Sequence, residues 1–312
     1  METNGRSDSM WNGERWVRTG WLLACVVGAL CSAACSMAVA QTAPGTAQLR
    51  ATYAEISDKL GGNFHEPLYL ESSENGNRVS GDIYARMNYP FASVAATFDR
   101  ADNWCEVMIL HLNTKYCRAT PGGNALSMGV GGKTLEAPER ASRLDLTFHL
   151  ATQSASYMQA TLAAEKGPMG TGNYRIVLEA IPLEGGKTFL HFSYSYEIGT
   201  MGRMAMQAYL ATAGRGRVGF TQQQKENEKI EYVGGTRGVV ERNTMRYYFA
   251  IEAYLGSLKA PAADQLDQRI AAWYDATERY PRQLHEVDRN AYMDMKREEV
   301  RRQQTIDVSM LK

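Results

Sequence analysis

The stretch Gly172–Gly219, GNYRIVLEAIPLEGGKTFLHFSYSYEIGTMGRMAMQAYLATAGRGRVG, decides the fold. Its first half has period two. Tyr174, Ile176, Leu178 and Ala180 share one face; after a Glu-Gly-Gly turn, Leu190, Phe192, Tyr194, Tyr196 and Ile198 share another. Alternation of this kind predicts two half-buried antiparallel strands. The second half has helical spacing, with Met201, Met204, Ala205 and Ala208 on one stripe and Met206, Tyr209 and Leu210 beside it. With few charges, this helix is expected to be covered on most of its surface. A curved sheet that hands the chain to a methionine-rich helix can enclose a cavity; the plainer alternative is an ordinary packed core.

Upstream, Gly81–Tyr89 alternates as a strand, and Pro90 ends it and opens a helix carrying Phe91, Val94, Ala95 and Phe98. A strand is expected over Val107–Leu112. Leu144–Leu150 and Ser154–Ala164 alternate as further strands, with Met158, Ala160 and Leu162 on one side of the second. A short helix is expected over Ala51–Leu60, and Leu68–Leu70 as an edge strand. Downstream, residues 221–229 form a polar connection. Three helices follow, from about Thr236 to Leu258, Asp264 to Tyr280 and Gln283 to Gln304, the last heavily charged and expected to fray. They form an α-helical extension over 236–312, beside a sheet domain over 79–220 and an N-terminal extension over 41–78.

Residues 21–40, WLLACVVGALCSAACSMAVA, are apolar, follow Arg15 and Arg18, and end in Ala-Val-Ala. This is the pattern of a secretory signal cut after Ala40 and places the mature chain in the periplasm or outside the cell. The competing readings are an uncleaved membrane anchor over 21–40 and a lipoprotein cut at Cys35. Of the five cysteines, Cys25, Cys31 and Cys35 leave with a cleaved signal. Cys105 and Cys117 remain, and an even count in an exported chain points to a disulfide. A metal pair or a redox pair is the alternative, although the spacing is not that of CxxC.

Lysine plus arginine balances aspartate plus glutamate at 34 each, so no global field draws nucleic acid. Gly129–Thr134, GVGGKT, falls short of a phosphate-binding loop because Ser127 stands where that motif needs glycine. It is expected to be a hairpin turn. His65, His111, His149, His191 and His285 show no metal-ligand spacing, and no GxSxG elbow occurs. Parity puts His149 and His191 on the side of the sheet opposite its apolar faces. No catalytic residue, metal site or cofactor is expected. Arg203, Arg215 and Arg217 form a small basic cluster: solvated or paired on one reading, in transient contact with an anionic membrane on the other.

The order of elements resembles the helix-grip arrangement of the START-like superfamily, also called SRPBCC. The residues that carry the likeness are GDIYARMNYPFASVAATFDRADNWCEVM (Gly81–Met108) and FLHFSYSYEIGTMGRMAMQAYLATAG (Phe189–Gly214). The resemblance implies an α+β fold in which a curved antiparallel sheet and a long gripping helix hold an apolar ligand, here with a C-terminal helical extension. Phe148, Met158, Leu178, Phe192, Tyr194, Tyr196, Met204 and Ala208 are the candidate ligand-binding residues, packed core being the alternative for each. A lipid or other hydrophobic small molecule is the expected partner. Two other roles stay open: a cyclase- or hydrolase-type enzyme on the same fold, and an envelope interaction protein with a filled core.

Overall fold

The computed structural model describes residues 44–212, 214–224 and 230–305; the expected signal segment lies outside the described residues. Helix α1 (Pro44–Ile56) leads to the hairpin β1 (Leu68–Asn75) and β2 (Arg78–Met87), followed by helices α2 (Phe91–Phe98) and α3 (Ala101–Met108). Six strands come next: β3 (Thr114–Ala119), β4 (Ala125–Val130), β5 (Ser142–Gln153), β6 (Met158–Lys166), β7 (Thr171–Leu183) and β8 (Lys187–Ile198). Helix α4 (Thr200–Ala211), the short strands β9 (Gln222–Gln224) and β10 (Ile230–Tyr232), and helices α5 (Gly235–Ser257), α6 (Ala262–Glu278), α7 (Pro281–Leu284) and α8 (Arg289–Gln303) complete the order.

The eight long strands form one curved antiparallel sheet in the order β1-β2-β8-β7-β6-β5-β4-β3. Alternation places the faces as expected. Ile176 pairs with Tyr194, Leu178 with Phe192 and Ala180 with Leu190, all turned into the main core. The Glu-Gly-Gly turn between β7 and β8 needs Gly185 and Gly186, which take φ of 71° and 67°, a region that costs other residues a Cβ clash. Bulges interrupt the ladder at Thr114/Tyr116, Leu150/Thr152 and Gly172/Arg175, where the extra residue bends the strand. The fold is α+β with helix-grip topology: two helices between β2 and the β3–β8 meander, and a long helix laid across the inner face.

The gripping helix is α5, not the Met201–Leu210 helix. Helix α5 packs on β2 and β8 and is buried on nearly every side. Its Val240, Met245, Tyr248 and Ile251 share one core with Ile83, Leu178 and Phe192. The helices over 235–303 therefore complete the core of the sheet rather than merely extending it. The charges that disguised α5 are partnered inside. Glu241, fully buried, accepts hydrogen bonds from the Phe220 amide (2.6 Å), the Thr221 amide (3.0 Å) and the Ser72 hydroxyl (2.5 Å). Close seating needs Gly81: a Cβ there would stand 2.3 Å from Thr244 Oγ1 on α5.

Two further expectations are corrected. Val107–Leu112 is not a strand. Val107 and Met108 end α3, and the following residues turn into β3, because Ala101, Trp104, Cys105 and Met108 bury one helical stripe against the core. The Trp104 indole donates to Phe98 O at 3.3 Å. Nor are the charges of the last helix all solvated. Lys296 and Glu299 on α8 are buried with Lys115 of β3, and Tyr292 donates to Leu110 O at 2.8 Å. Cys105 and Cys117 form a disulfide, S–S 2.06 Å, joining α3 to β3. The outer face of the sheet is covered by α1, whose Tyr53 ring lies 4.8 Å from Phe189.

Candidate functional site

A cavity of about 360 Å³ lies between the inner face of the sheet, α4 and α5. The strands supply Met128, Leu144, Tyr174, Ile176, Tyr194 and Tyr196; α4 supplies Gly202, Ala205, Met206 and Tyr209; α5 supplies Val239, Arg242, Asn243, Arg246 and Tyr247. Loops close the ends with His111, Lys133, Met169 and Glu286. Met169 is 71% exposed and marks where the cavity meets solvent. Most of the wall is apolar or aromatic.

The tyrosines form a continuous band. Tyr174 stacks on Tyr196 (5.3 Å, 14°), Tyr196 lies 5.5 Å from Tyr194, Tyr194 lies 5.4 Å from Tyr247, and Tyr247 stacks on His111 at 4.7 Å. Rings at these separations attract beyond simple area burial. Burial raises the hydroxyl pKa of Tyr194, Tyr196 and Tyr247, so all three stay neutral. The His111 imidazole is held well below its ordinary range by burial first and by nearby Arg246 and Lys296 next, against the Asn243 side chain. It is neutral at neutral pH. Its Nδ1 accepts from the Asn113 amide at 3.2 Å, and its Nε2 makes no hydrogen bond of ordinary geometry.

One end of the cavity is ionic. The Glu286 carboxylate meets Lys133 Nζ at 2.6 Å, Arg246 Nη2 at 2.9 Å and Arg217 Nη2 at 3.0 Å. Burial opposes its charge, yet Arg246, Lys133 and Arg217 together hold its carboxyl below the usual range. Arg242, almost wholly buried, donates to Val218 O at 3.2 Å and lies near Tyr209, with Glu286 the nearest charge that favours its guanidinium. Burial lowers the guanidinium pKa of both Arg242 and Arg246, and Arg246 Nε is buried without a partner.

Of the residues expected at a ligand site, the structure brings Tyr194 and Tyr196 to the cavity wall. Met158, Leu178 and Phe192 lie in the packed core, and Phe148 is half-buried against it. Met204 and Ala208 face solvent, Met204 at 67% exposure, because α4 covers the cavity with its other face. Of the cationic residues, Arg217 was noted as part of a basic cluster and is paired with Glu286, whereas Lys133, Arg242 and Arg246 were missed. Val239, Arg242, Asn243 and Arg246 recur at helical spacing, and this stripe was the available signal; a charged helical face is ordinarily taken as solvated. Lys133 comes from the GVGGKT loop that links β4 and β5.

A second titratable cluster sits on the outer face, where parity put His191. Its Nδ1 lies 2.9 Å from Glu179 and its Nε2 2.9 Å from Asp82, with the ring stacked 4.4 Å from Tyr84. Tyr157 donates to the same Glu179. Burial opposes the charged ring, but the hydrogen bonds to Asp82 and Glu179 outweigh it and push the pKa up to about 9. Both ring nitrogens then donate, leaving no lone pair for base chemistry.

No family model matches the chain, and no curated protein does. Solved structures align over less than half of it. A norcoclaurine synthase point mutant from Thalictrum flavum aligns at 9% identity and TM-score 0.33, over 46% of this chain and 89% of that one. A START superfamily protein from Mycobacterium smegmatis aligns at 15% identity and TM-score 0.28, over 45% and 96%. A conserved protein from Geobacillus kaustophilus gives 14% and 0.30, over 44% and 85%. Likeness at this level carries no argument about activity. The START-like fold class rests on the strand order and the placement of α2, α3 and α5.

Proposed function

We propose that this chain binds a hydrophobic small molecule or lipid in the cavity between sheet, α4 and α5, and does so after export through residues 1–40. The observation that carries the reading is the cavity: about 360 Å³, walled by Met128, Leu144, Ile176, Met206 and the tyrosine band. A space of this size falls within the range of small-molecule sites, which are mostly apolar with a few placed polar groups. Burial of apolar ligand surface supplies about 25 cal/mol per Å², less the costs of association. Helix α4 is the natural gate, since its outer face is exposed and only Gly202 on it is buried. The described titratable groups of the wall are tyrosines, a neutral histidine and the cations Lys133, Arg242 and Arg246 around Glu286, which suits holding a molecule rather than transforming it.

Mass spectrometry of organic extracts of the purified protein tests this. A stoichiometric apolar molecule is expected, absent from the variant Ala205→Trp, which fills the cavity from α4. An empty protein that also takes up no apolar probe would overturn the reading and favour an interaction protein.

A further inference from the structure

We infer that the cavity selects an anionic amphiphile: a small apolar acid whose carboxylate, sulfonate or phosphate sits among Lys133, Arg242 and Arg246 while its apolar body lies along the tyrosine band. This rests on the cavity being a ligand site and adds the class of ligand. Among the groups that line the cavity or touch Glu286, four cations (Lys133, Arg217, Arg242, Arg246) face one carboxylate. Glu286 engages three of them. Among the described residues Arg242 forms no salt bridge and feels Glu286 only from further off, and Arg246 keeps a buried Nε–H with no partner. Buried guanidinium groups without compensating charge are costly, and a bound anion removes that cost. Guanidinium also suits the planar, two-oxygen face of a carboxylate or phosphate.

The layout supports entry as well as binding. Lys133 and Arg217 are about 30% exposed at the side chain, at 30% and 28%, whereas Arg246 is 5% exposed, so positive charge runs from surface to interior. With Glu286 counted, the cations still exceed the acid at this end, and a net excess of one sign raises the local concentration of the opposite ion. The volume, about 360 Å³, is at the small end of ligand sites. It suits a single chain or a two-ring body and not a two-chain phospholipid, so the anion belongs to a free acid rather than to a bilayer headgroup.

The test uses two dyes that differ by one sulfonate, 1-anilinonaphthalene-8-sulfonate and N-phenyl-1-naphthylamine, titrated by fluorescence into the full chain. The sulfonate should bind at least about tenfold tighter, and Arg242→Gln should weaken it by about tenfold or more while leaving the neutral dye within about twofold. Lys133→Gln, at a partly exposed site, should act in the same direction and does not depend on a core change being tolerated. Ala205→Trp should abolish binding of both. Equal affinities, with both arginine and lysine variants silent, would overturn the charge selectivity and leave the cavity reading standing; binding of neither dye would overturn both. Decanoate should displace the sulfonate dye, and vesicles of dioleoylphosphatidylglycerol should not. Displacement by vesicles alone would overturn the free-acid assignment.

Discussion

Lys296 Nζ stands 2.7 Å from one carboxylate oxygen of Glu299, and Lys115 Nζ stands 2.9 Å from the other, with all three side chains at most 2% exposed. Two lysines share one acid inside the protein. Burial, offset in part by Glu299, brings the Lys296 pKa down to about 8. Lys296 also donates to His111 O and Thr114 O at 2.8 Å each, which ties α8 to the turn before β3. Glu299→Gln would leave two buried ammonium groups facing each other. The expected loss is about 3–5 kcal/mol, read as a lower urea midpoint. The triple change Lys115→Met, Lys296→Met, Glu299→Leu should recover part of that loss, but not all, because four carbonyls, those of His111, Leu112, Thr114 and Thr134, lose a lysine donor.

Gly81→Ala tests the seating of α5 on β2. The new methyl would meet Thr244 Oγ1 at 2.3 Å and its Cβ at 3.2 Å. Overpacking of this kind costs about 1–3 kcal/mol. Adding Thr244→Ala removes the nearer atom, so the double variant should be more stable than Gly81→Ala alone. Equal stability of wild type and Gly81→Ala in chemical denaturation would show that α5 does not press on this strand.

Helix α4 gives a paired test of which face looks inward. Both alanines are exposed, but Ala205 lies on the cavity rim whereas Ala208 lines no part of it. Ala205→Trp should abolish ligand or dye uptake. Ala208→Trp should leave uptake unchanged and shift stability by no more than about 0.5 kcal/mol, as at most surface sites. The reverse result would turn the helix over.

The His191 cluster predicts a pH dependence of stability. The folded-state pKa is raised from the ordinary 6.5 to about 9. A base whose pKa is raised by folding stabilises fully below its unfolded value and loses that contribution as pH climbs through its folded one. Stability should therefore fall between about pH 6.5 and 9, by roughly 3 kcal/mol at most. His191→Gln should flatten this segment of the urea-midpoint profile. An unchanged profile would mean that Asp82 and Glu179 do not hold the ring charged.

Reduction of Cys105–Cys117 opens a loop with a sequence separation of 12. By the chain-entropy relation this lowers stability by about 3 kcal/mol. Thermal unfolding with and without reductant measures it, and Cys105→Ala/Cys117→Ala should reproduce the reduced value.

Strands β1, β2 and β5–β8 were legible in the sequence because a period of two records a buried face directly; β3 and β4 were not, because their central residues are buried on both faces and carry no alternation. Leu144, Leu146, Met158, Leu162, Leu178 and Phe192 all turn inward as their parity requires. The identity of the gripping helix was not legible. Hydrophobicity favoured Met201–Leu210, yet Met201 and Met204 are exposed, while α5 carries Glu241, Arg242 and Arg246 into the interior. Composition reports charge and not partners, and these charges are tolerated only through contacts with residues far away in sequence, such as Ser72, Val218 and Glu286. The cavity was half legible for the same reason. Tyr194 and Tyr196 follow from strand parity, but Lys133 and Glu286 meet across 153 positions of chain.

The Cys117 amide, on the outer edge of β3, donates to the Gln303 side chain at 3.0 Å, and Arg118 donates to Gln303 O at 2.5 Å. One consequence concerns truncation. A chain that ends after the eight strands lacks α5 over its inner face and α8 along this edge. An unpaired strand edge is a template for joining another chain. A product cut between β8 and α8 should therefore expose both an apolar face and a free edge, and aggregate where the full chain does not.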